Sequence, residues 1–168
     1  MDHGAQLEAV NMGHAAVLRV LLDNGADPNW SHPETGETPL HVATFHAHRA
    51  GAYECVRCLL AAGANVNSKT KNRIGSDTFD GGYVVGETPL HNAAAYGNMA
   101  MIRLLIDAGA DVLAEDADGH TPRQYCARHQ RGKVHTPLER GDFVEVLGLL
   151  PYREPSRWSH TAEDDTDT

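Results

Sequence analysis

Apolar residues in this chain come in short clusters that recur in the same order. Val17, Leu18, Val20, Leu21 and Leu22 form the first. Cys55, Val56, Cys58, Leu59 and Leu60 form the second, and Met101, Ile102, Leu104, Leu105 and Ile106 the third. The spacing within each cluster puts its members on one broad face of a helix. Gly25, Gly63 and Gly109 follow them, where a helix wants a left-handed residue past its C-terminus. Each cluster therefore predicts a short amphipathic helix that ends at its glycine.

A second pattern supplies the partner helices. Gly36-Glu37-Thr38-Pro39-Leu40-His41 returns as Gly86-Glu87-Thr88-Pro89-Leu90-His91, and in part as Gly119-His120-Thr121-Pro122. Each Thr stands where a helix N-cap belongs, with an oxygen able to accept from a free backbone N–H. The Pro after it occupies the first helical position, where its missing N–H costs nothing. Leu40 and Leu90 point inward, and the preceding Gly permits the turn that feeds the helix. Two patterns alternating in register describe an array: turn, helix, short turn, helix, loop.

These residues resemble the ankyrin repeat. The segment from Gly86 to Leu113 matches the family pattern nearly throughout, with Gly97-Asn98 at the turn between its helices. The resemblance covers most of residues 1–150. It implies an all-α, ankyrin-repeat solenoid of about four helix-turn-helix units. Their bounds are approximately 1–33, 34–67, 84–114 and 117–150, with an insertion at 68–83 and an acidic, disordered tail at 151–168. It also implies a structural role for His41 and His91, bonded to neighbouring backbone, and protein binding through a concave face and loop tips.

The array departs from its own period in three places. Thr88 and Thr121 are 33 residues apart, the family period, whereas Thr38 and Thr88 are 50 apart. The excess falls in a longer turn, His46-Ala47-His48-Arg49-Ala50-Gly51, and in a long hairpin insertion, Ser68 to Val85. Insertions in such arrays map to loops, often on the binding face. The first unit lacks the Thr-Pro-Leu-His phrase, so it reads as a worn cap or as part of a longer array. In the fourth, Arg123-Gln124-Tyr125 stands where Leu and His stood, and an insertion around Arg131 to Glu139 precedes Phe143-Val144-Glu145-Val146-Leu147. Terminal repeats carry polar outer faces, and this unit reads as the C-terminal cap.

Charge and cysteine content narrow the partners. A formal net charge of −9 argues against nucleic acid and anionic membrane, which need clustered Lys and Arg. A basic protein surface suits it better. No apolar run approaches the roughly 18 residues of a membrane span, and the first residues show no secretion signal. Cys55, Cys58 and Cys126 are an odd, sparse set that suits a reducing compartment, so a cytoplasmic monomer is expected.

Candidate chemistry is sparse. Cys55 and Cys58 form a CxxC with His46 and His48 nearby, a set that zinc or a redox switch would use. The same two cysteines occupy core positions of the apolar pattern, which outweighs that reading. Gly81-Gly82 lacks the Gly-Lys-Ser/Thr of a phosphate loop, and Asn29-Trp30-Ser31 fits a glycosylation sequon by chance. No nucleophile pairs with His41 or His91, and no cofactor is implied.

Binding residues are sought among the aromatics and acids of the loops and inner helix ends. Trp30, Phe45, Tyr83 and Tyr96 are candidate contact residues, since aromatics bury large area at low entropy cost. For Phe45 and Tyr96, contact and packing beneath the insertions both remain open. Glu37, Glu87, Glu115 and Asp118, with Glu34 and Asp116, form an acidic row at the tips that would steer a basic ligand or simply keep the surface solvated. The expected function is non-catalytic protein recognition. Alternatives are a regulatory ankyrin segment of a larger enzyme or complex, and a metal- or redox-responsive module.

Overall fold

The protein is described by a computed structural model covering residues 3–71, 85–96, 98–131, 145 and 148–152. The described residues form α-helices joined by turns, with no strand. In chain order they are α1 (His3–Asn11), α2 (Ala15–Asp23), α3 (Pro39–Phe45), α4 (Ala52–Ala61), α5 (Pro89–Tyr96), α6 (Met99–Asp107) and α7 (Pro122–Arg131). Tyr83, Gly81-Gly82, Gly97, most of the 68–83 insertion, the stretch around Arg131 to Glu139 and nearly all of the acidic tail lie outside the described residues.

The helices pack in two rows. The first helices of the units, α1, α3, α5 and α7, stack on one another as an inner row, and α2, α4 and α6 stack as an outer row. Each cluster read from the sequence supplies the side of an outer helix that faces inward: Leu18, Val56, Leu59, Ile102 and Leu105 are fully buried. Leu40, Ala43, Leu90 and Ala93 meet them from the inner row. The inner helices are short and rich in Ala and Thr, which lets them stack closely, and Thr44 returns its hydroxyl to the Leu40 carbonyl at 3.0 Å. Cys55 and Cys126 lie in the same core, 0% and 1% exposed.

Helix ends follow the sequence pattern. Gly25, Gly63 and Gly109 all have positive φ, and the residue after each donates its N–H back into the last helical turn. Asn98 caps α6 by accepting from the Met101 N–H at 3.0 Å. The inner helices start differently. At Thr38 the backbone N–H donates to Nδ1 of His41 at 3.2 Å, and Oγ1 lies 2.9 Å from the same nitrogen. Thr88 and His91 repeat this at 3.1 and 2.8 Å.

Loops between units form fingers that are stitched side by side. The Lys71 N–H donates to the Thr35 carbonyl at 2.7 Å, and the Ala117 N–H to the Val85 carbonyl at 2.8 Å. Lower down, the Asn29 side chain accepts from the Asn65 N–H at 2.6 Å and donates to the Gly63 carbonyl at 2.9 Å. Asn67 does the same one unit on, to Asp111 and Gly109. A single Asn thus joins each loop to the next, so its polar side chain is part of the stacking.

The lengthened turn at His46–Gly51 folds back on the first unit. Arg49 donates to the Asn11 carbonyl at 2.7 Å, and its guanidinium lies 3.6 Å from Met12 Sδ. The last unit is closed by Leu150, which is fully buried and whose carbonyl accepts from Arg123 at 2.8 Å. Arg123 stands where Leu40 and Leu90 stand in the preceding units, so the substitution replaces a core contact with a tie to the chain's later part.

Candidate interaction surface

The surface has three parts: the ends of the inner helices, the fingers, and the outer face. Phe45 ends α3 and Tyr96 ends α5. Stacking of the inner row brings their rings to 4.9 Å between centroids at 65°, an edge-on aromatic pair. His46 lies edge-on to Phe45 at 5.1 Å, and His48 edge-on to His46 at 6.0 Å. Phe45, His46 and Tyr96 are half-buried and His48 is exposed. Burial, Arg49 and His48 hold the His46 imidazole below its ordinary value.

Trp30 is elsewhere. It lies in the first loop, stacked on His3 at 4.9 Å and edge-on to His32 at 6.2 Å. Its half-buried ring joins α1 to the first finger.

The acidic row divides in two. Asp118 and Glu34 are exposed, and Glu37 and Glu115 are half-buried. Glu87 and Asp116 are 5% and 7% exposed. Their placement corrects the expectation of exposed tip acids at these two positions. The Asp116 carboxyl is turned inward because the fold supplies donors for it, which compensates the loss of water. Asp116 accepts from the Asp118 N–H at 2.9 Å, the His120 N–H at 2.8 Å and the Tyr125 hydroxyl at 2.7 Å. Burial, with Glu87 and Asp116 beside it, pushes the Tyr125 hydroxyl far above its usual range. This junction of acids and tyrosine is a structural joint between the third and fourth units.

His41 and His91 are also joints. Nδ1 accepts a backbone N–H in both, so the proton must sit on Nε2. Nε2 then donates to the carbonyl of the next finger: Glu87 from His41 at 3.1 Å and His120 from His91 at 3.0 Å. Each neutral histidine thus bonds its own helix start to the following unit. Desolvation is the main cause that lowers both to about 4. In the fourth unit Gln124 takes the same place, accepting from the Thr121 N–H at 2.6 Å.

The outer face holds an open cavity of about 300 Å³ between α2 and α4, lined by Arg19, Asp23, Glu54, Arg57 and Cys58. Arg19 donates to Cys58 Sγ at 3.7 Å. Among the described residues, no three His, Cys, Asp or Glu side chains converge as metal ligands would. Burial raises the Cys55 and Cys126 thiols to about 11. Cys58 lines the open cavity and is 9% exposed, against 0% and 1% for the other two, so it is expected to react first with an aromatic disulfide reagent. Native protein should show one fast thiol that disappears in Cys58→Ser. Three equal rates, or a fast Cys126, would contradict this.

Sequence reasoning missed two features. The Asn29 and Asn67 ties were legible as an Asn two residues after each of the first two Gly-Ala-Asp/Asn phrases. Two of the chain's three lysines, Lys69 and Lys71, lie two residues apart, and they line one pocket between fingers.

Family models agree with this architecture. Ankyrin repeats (3 copies) match residues 3–70, and ankyrin repeats (many copies) match residues 84–126. The chain is 32% identical over 121 residues to SH3 and multiple ankyrin repeat domains protein 1 of Homo sapiens, covering 72% of this chain and 5% of that protein. It is 36% identical over 162 residues to a transient receptor potential cation channel subfamily A member 1 homolog of Caenorhabditis elegans, covering 92% and 12%. With the RelA-associated inhibitor of Mus musculus the identity is 30% over 145 residues, covering 86% and 15%. The chain thus spans a small part of these relatives' length. Ankyrin repeats are protein-interaction modules, and no helix among the described residues is long and apolar enough to cross a membrane. Stacked helix pairs, histidine joints and stitched fingers agree with both matches, and the chain belongs to the ankyrin-repeat family.

Proposed function

We propose that this protein is a non-catalytic recognition module that binds a partner protein across its inner helix ends and fingers. One observation carries the reading. Phe45 and Tyr96, from different units, form a half-exposed aromatic pair 4.9 Å apart. The pair packs between the second and third units, with Tyr96 also against the core, and both rings still keep part of their surface open to solvent. Partly exposed aromatics on a rigid frame are what hot spots are made of. Exposed Asp118 and Glu34 would steer a basic stretch of the partner towards it.

Affinity capture from the source lysate tests this. Wild type should retain a protein that Phe45→Ala/Tyr96→Ala loses, with both folded by circular dichroism. A loss of about 2 kcal/mol or more is expected, roughly thirtyfold in affinity. Asp118→Lys should weaken binding severalfold and reduce its salt dependence. Glu87 is unsuitable for such a reversal, because a lysine in its buried place would unfold the joint. Equal retention by wild type and the aromatic variant would remove the reading.

A second reading, a regulatory ankyrin segment acting within a larger complex, is favoured by the outer edge of α2. Val17 is 52% exposed, whereas the matching Cys55 and Met101 are fully buried under the unit before them; Val20 is 60% exposed, whereas the matching Cys58 is buried and Leu104 half-buried. A further packed element would cover such an edge. Val17→Asp/Val20→Asp should leave the domain's own stability nearly unchanged and release it from that complex.

A further inference from the structure

The first and second fingers flank an open cleft of about 430 Å³. Asn29, Ser31, Asn65, Ser68, Lys69 and Lys71 contribute to its wall. The Asn29 side chain is committed to the stacking tie, the Asn65 side chain accepts from the Asn67 N–H of its own loop at 3.0 Å, and Ser68 donates to the Asn65 carbonyl at 3.0 Å. The lysines are not committed in this way. Lys69 gives one of its three donors to the Glu115 carbonyl at 2.9 Å. Among the described residues, the Lys71 ammonium and the Ser31 hydroxyl have no protein acceptor, and neither lysine has an ion pair.

This is an unusual place for cations in a chain of net charge −9 that has three lysines in all. Lys71 is also held rather than loose. Its backbone N–H donates to the Thr35 carbonyl, and its stem runs so close to the Gly36 tip that a Cβ there would lie 2.8 Å from Lys71 Cγ. Gly36 has φ +72°, a backbone open to glycine and strained for other residues. The tip thus admits the lysine stem because it has no side chain. The Lys71 ammonium, the Ser31 hydroxyl and the remaining donors of Lys69, whose ammonium is tied to Glu115, thus border one open cleft.

We propose that this pocket seats a phosphorylated serine or threonine side chain of the partner protein. Its near-dianionic group matches two lysines in charge, and its three acceptor oxygens match the unfilled donors. A carboxylate brings one charge and two oxygens, and leaves part of the donor set empty. The source of the ligand rests on the recognition reading above; the chemistry of the pocket does not.

Amide NMR on the full chain tests it without the partner. N-acetyl-phosphoserine amide, inorganic phosphate and acetate are titrated separately at constant ionic strength. Phosphoserine should give saturable shifts at the amides of Ser31, Gly36, Ser68 and Lys71. Lys71→Gln should weaken binding about tenfold, as expected for loss of a charge-assisted contact, and Lys69→Gln/Lys71→Gln should abolish it. Both variants should keep wild-type spectra elsewhere. Shifts that do not saturate, or that persist in the double variant, would overturn the pocket. Acetate binding as well as phosphoserine would overturn the phosphate assignment, and inorganic phosphate binding alone would overturn the partner as its source. A negative titration leaves the capture result with Phe45 and Tyr96 standing, so the two ideas fail separately.

Discussion

Between about pH 7 and pH 5 this protein is expected to lose roughly 4 kcal/mol of stability through His41 and His91 alone. Both imidazoles are neutral in the fold and lowered to about 4 from an ordinary 6.5, with desolvation the main cause. At neutral pH they are uncharged in both folded and unfolded chains, so their full contribution is present. As the pH falls below 6.5 the unfolded chain takes up protons that the fold refuses. Stability then falls with pH until the folded value near 4 is passed, by about 3 kcal/mol for each histidine over the whole window. The fold cannot accept the proton cheaply. Nδ1 is already receiving the Thr38 or Thr88 N–H, and a proton there would turn an acceptor into a donor facing a donor. A combined loss of this size is comparable with the whole stability of a domain.

Urea unfolding at several pH values checks this, with His41→Gln/His91→Gln beside wild type. Glutamine is the informative replacement because Gln124 already fills the same position, accepting the Thr121 N–H at 2.6 Å. The variant starts less stable at pH 7 only insofar as glutamine reaches the next finger less well. What matters is the slope, which should flatten by most of the 4 kcal/mol between pH 7 and pH 5. Every other titrating group is common to both proteins and contributes equally to the two slopes. An unchanged slope in the double variant would show that these histidines are not the titrating groups.

The histidine joints were implied by the resemblance to the ankyrin repeat, and the repeated phrase placed them at His41 and His91. The core helices were legible in the sequence itself: Leu18, Leu59 and Leu105 recur at one register, and the register alone says that they share an environment. Features that occur once were harder to read. Glu87 follows a turn glycine in a polar loop, and nothing near it in the chain shows that Tyr125 and Thr70 will close over it. Asp116 looked like its exposed neighbour Asp118 until three donors, two of them backbone N–H groups, were found pointing at it. Phe45 and Tyr96 were each visible as aromatics, but their contact depends on a stacking distance between units. The Lys69–Lys71 pocket depends on a neighbouring finger in the same way. Period carries information about what each unit does for itself; the partners across the gap between units are set by packing.

Gly51→Ala is expected to be far more damaging than Gly63→Ala, although both glycines end a turn at φ +86°. The local strain of a left-handed alanine is the same in both, about 1–2 kcal/mol. Around Gly63 nothing lies within 4 Å of the added Cβ. At Gly51 it would stand 2.0 Å from the Gly13 carbonyl oxygen, and a Cβ on Gly13 would stand 2.1 Å from the Ala50 carbonyl oxygen. The two turns pack backbone against backbone, and no rotamer change can relieve that contact. Arg49, bonded to the Asn11 carbonyl, pins the same junction. Gly51→Ala must therefore push the first unit off the second, at a total of about 3–5 kcal/mol. Because an array transmits stability between nearest neighbours, the damage should be local first. Hydrogen exchange should accelerate in α1 and α2 while α5 and α6 keep their protection. Gly63→Ala should show neither that pattern nor a loss beyond the strain term. If both variants lose the same stability, the lengthened turn is a loose insertion. If Gly51→Ala alone frees the first unit, the six residues from His46 to Gly51 are the clamp that seats it.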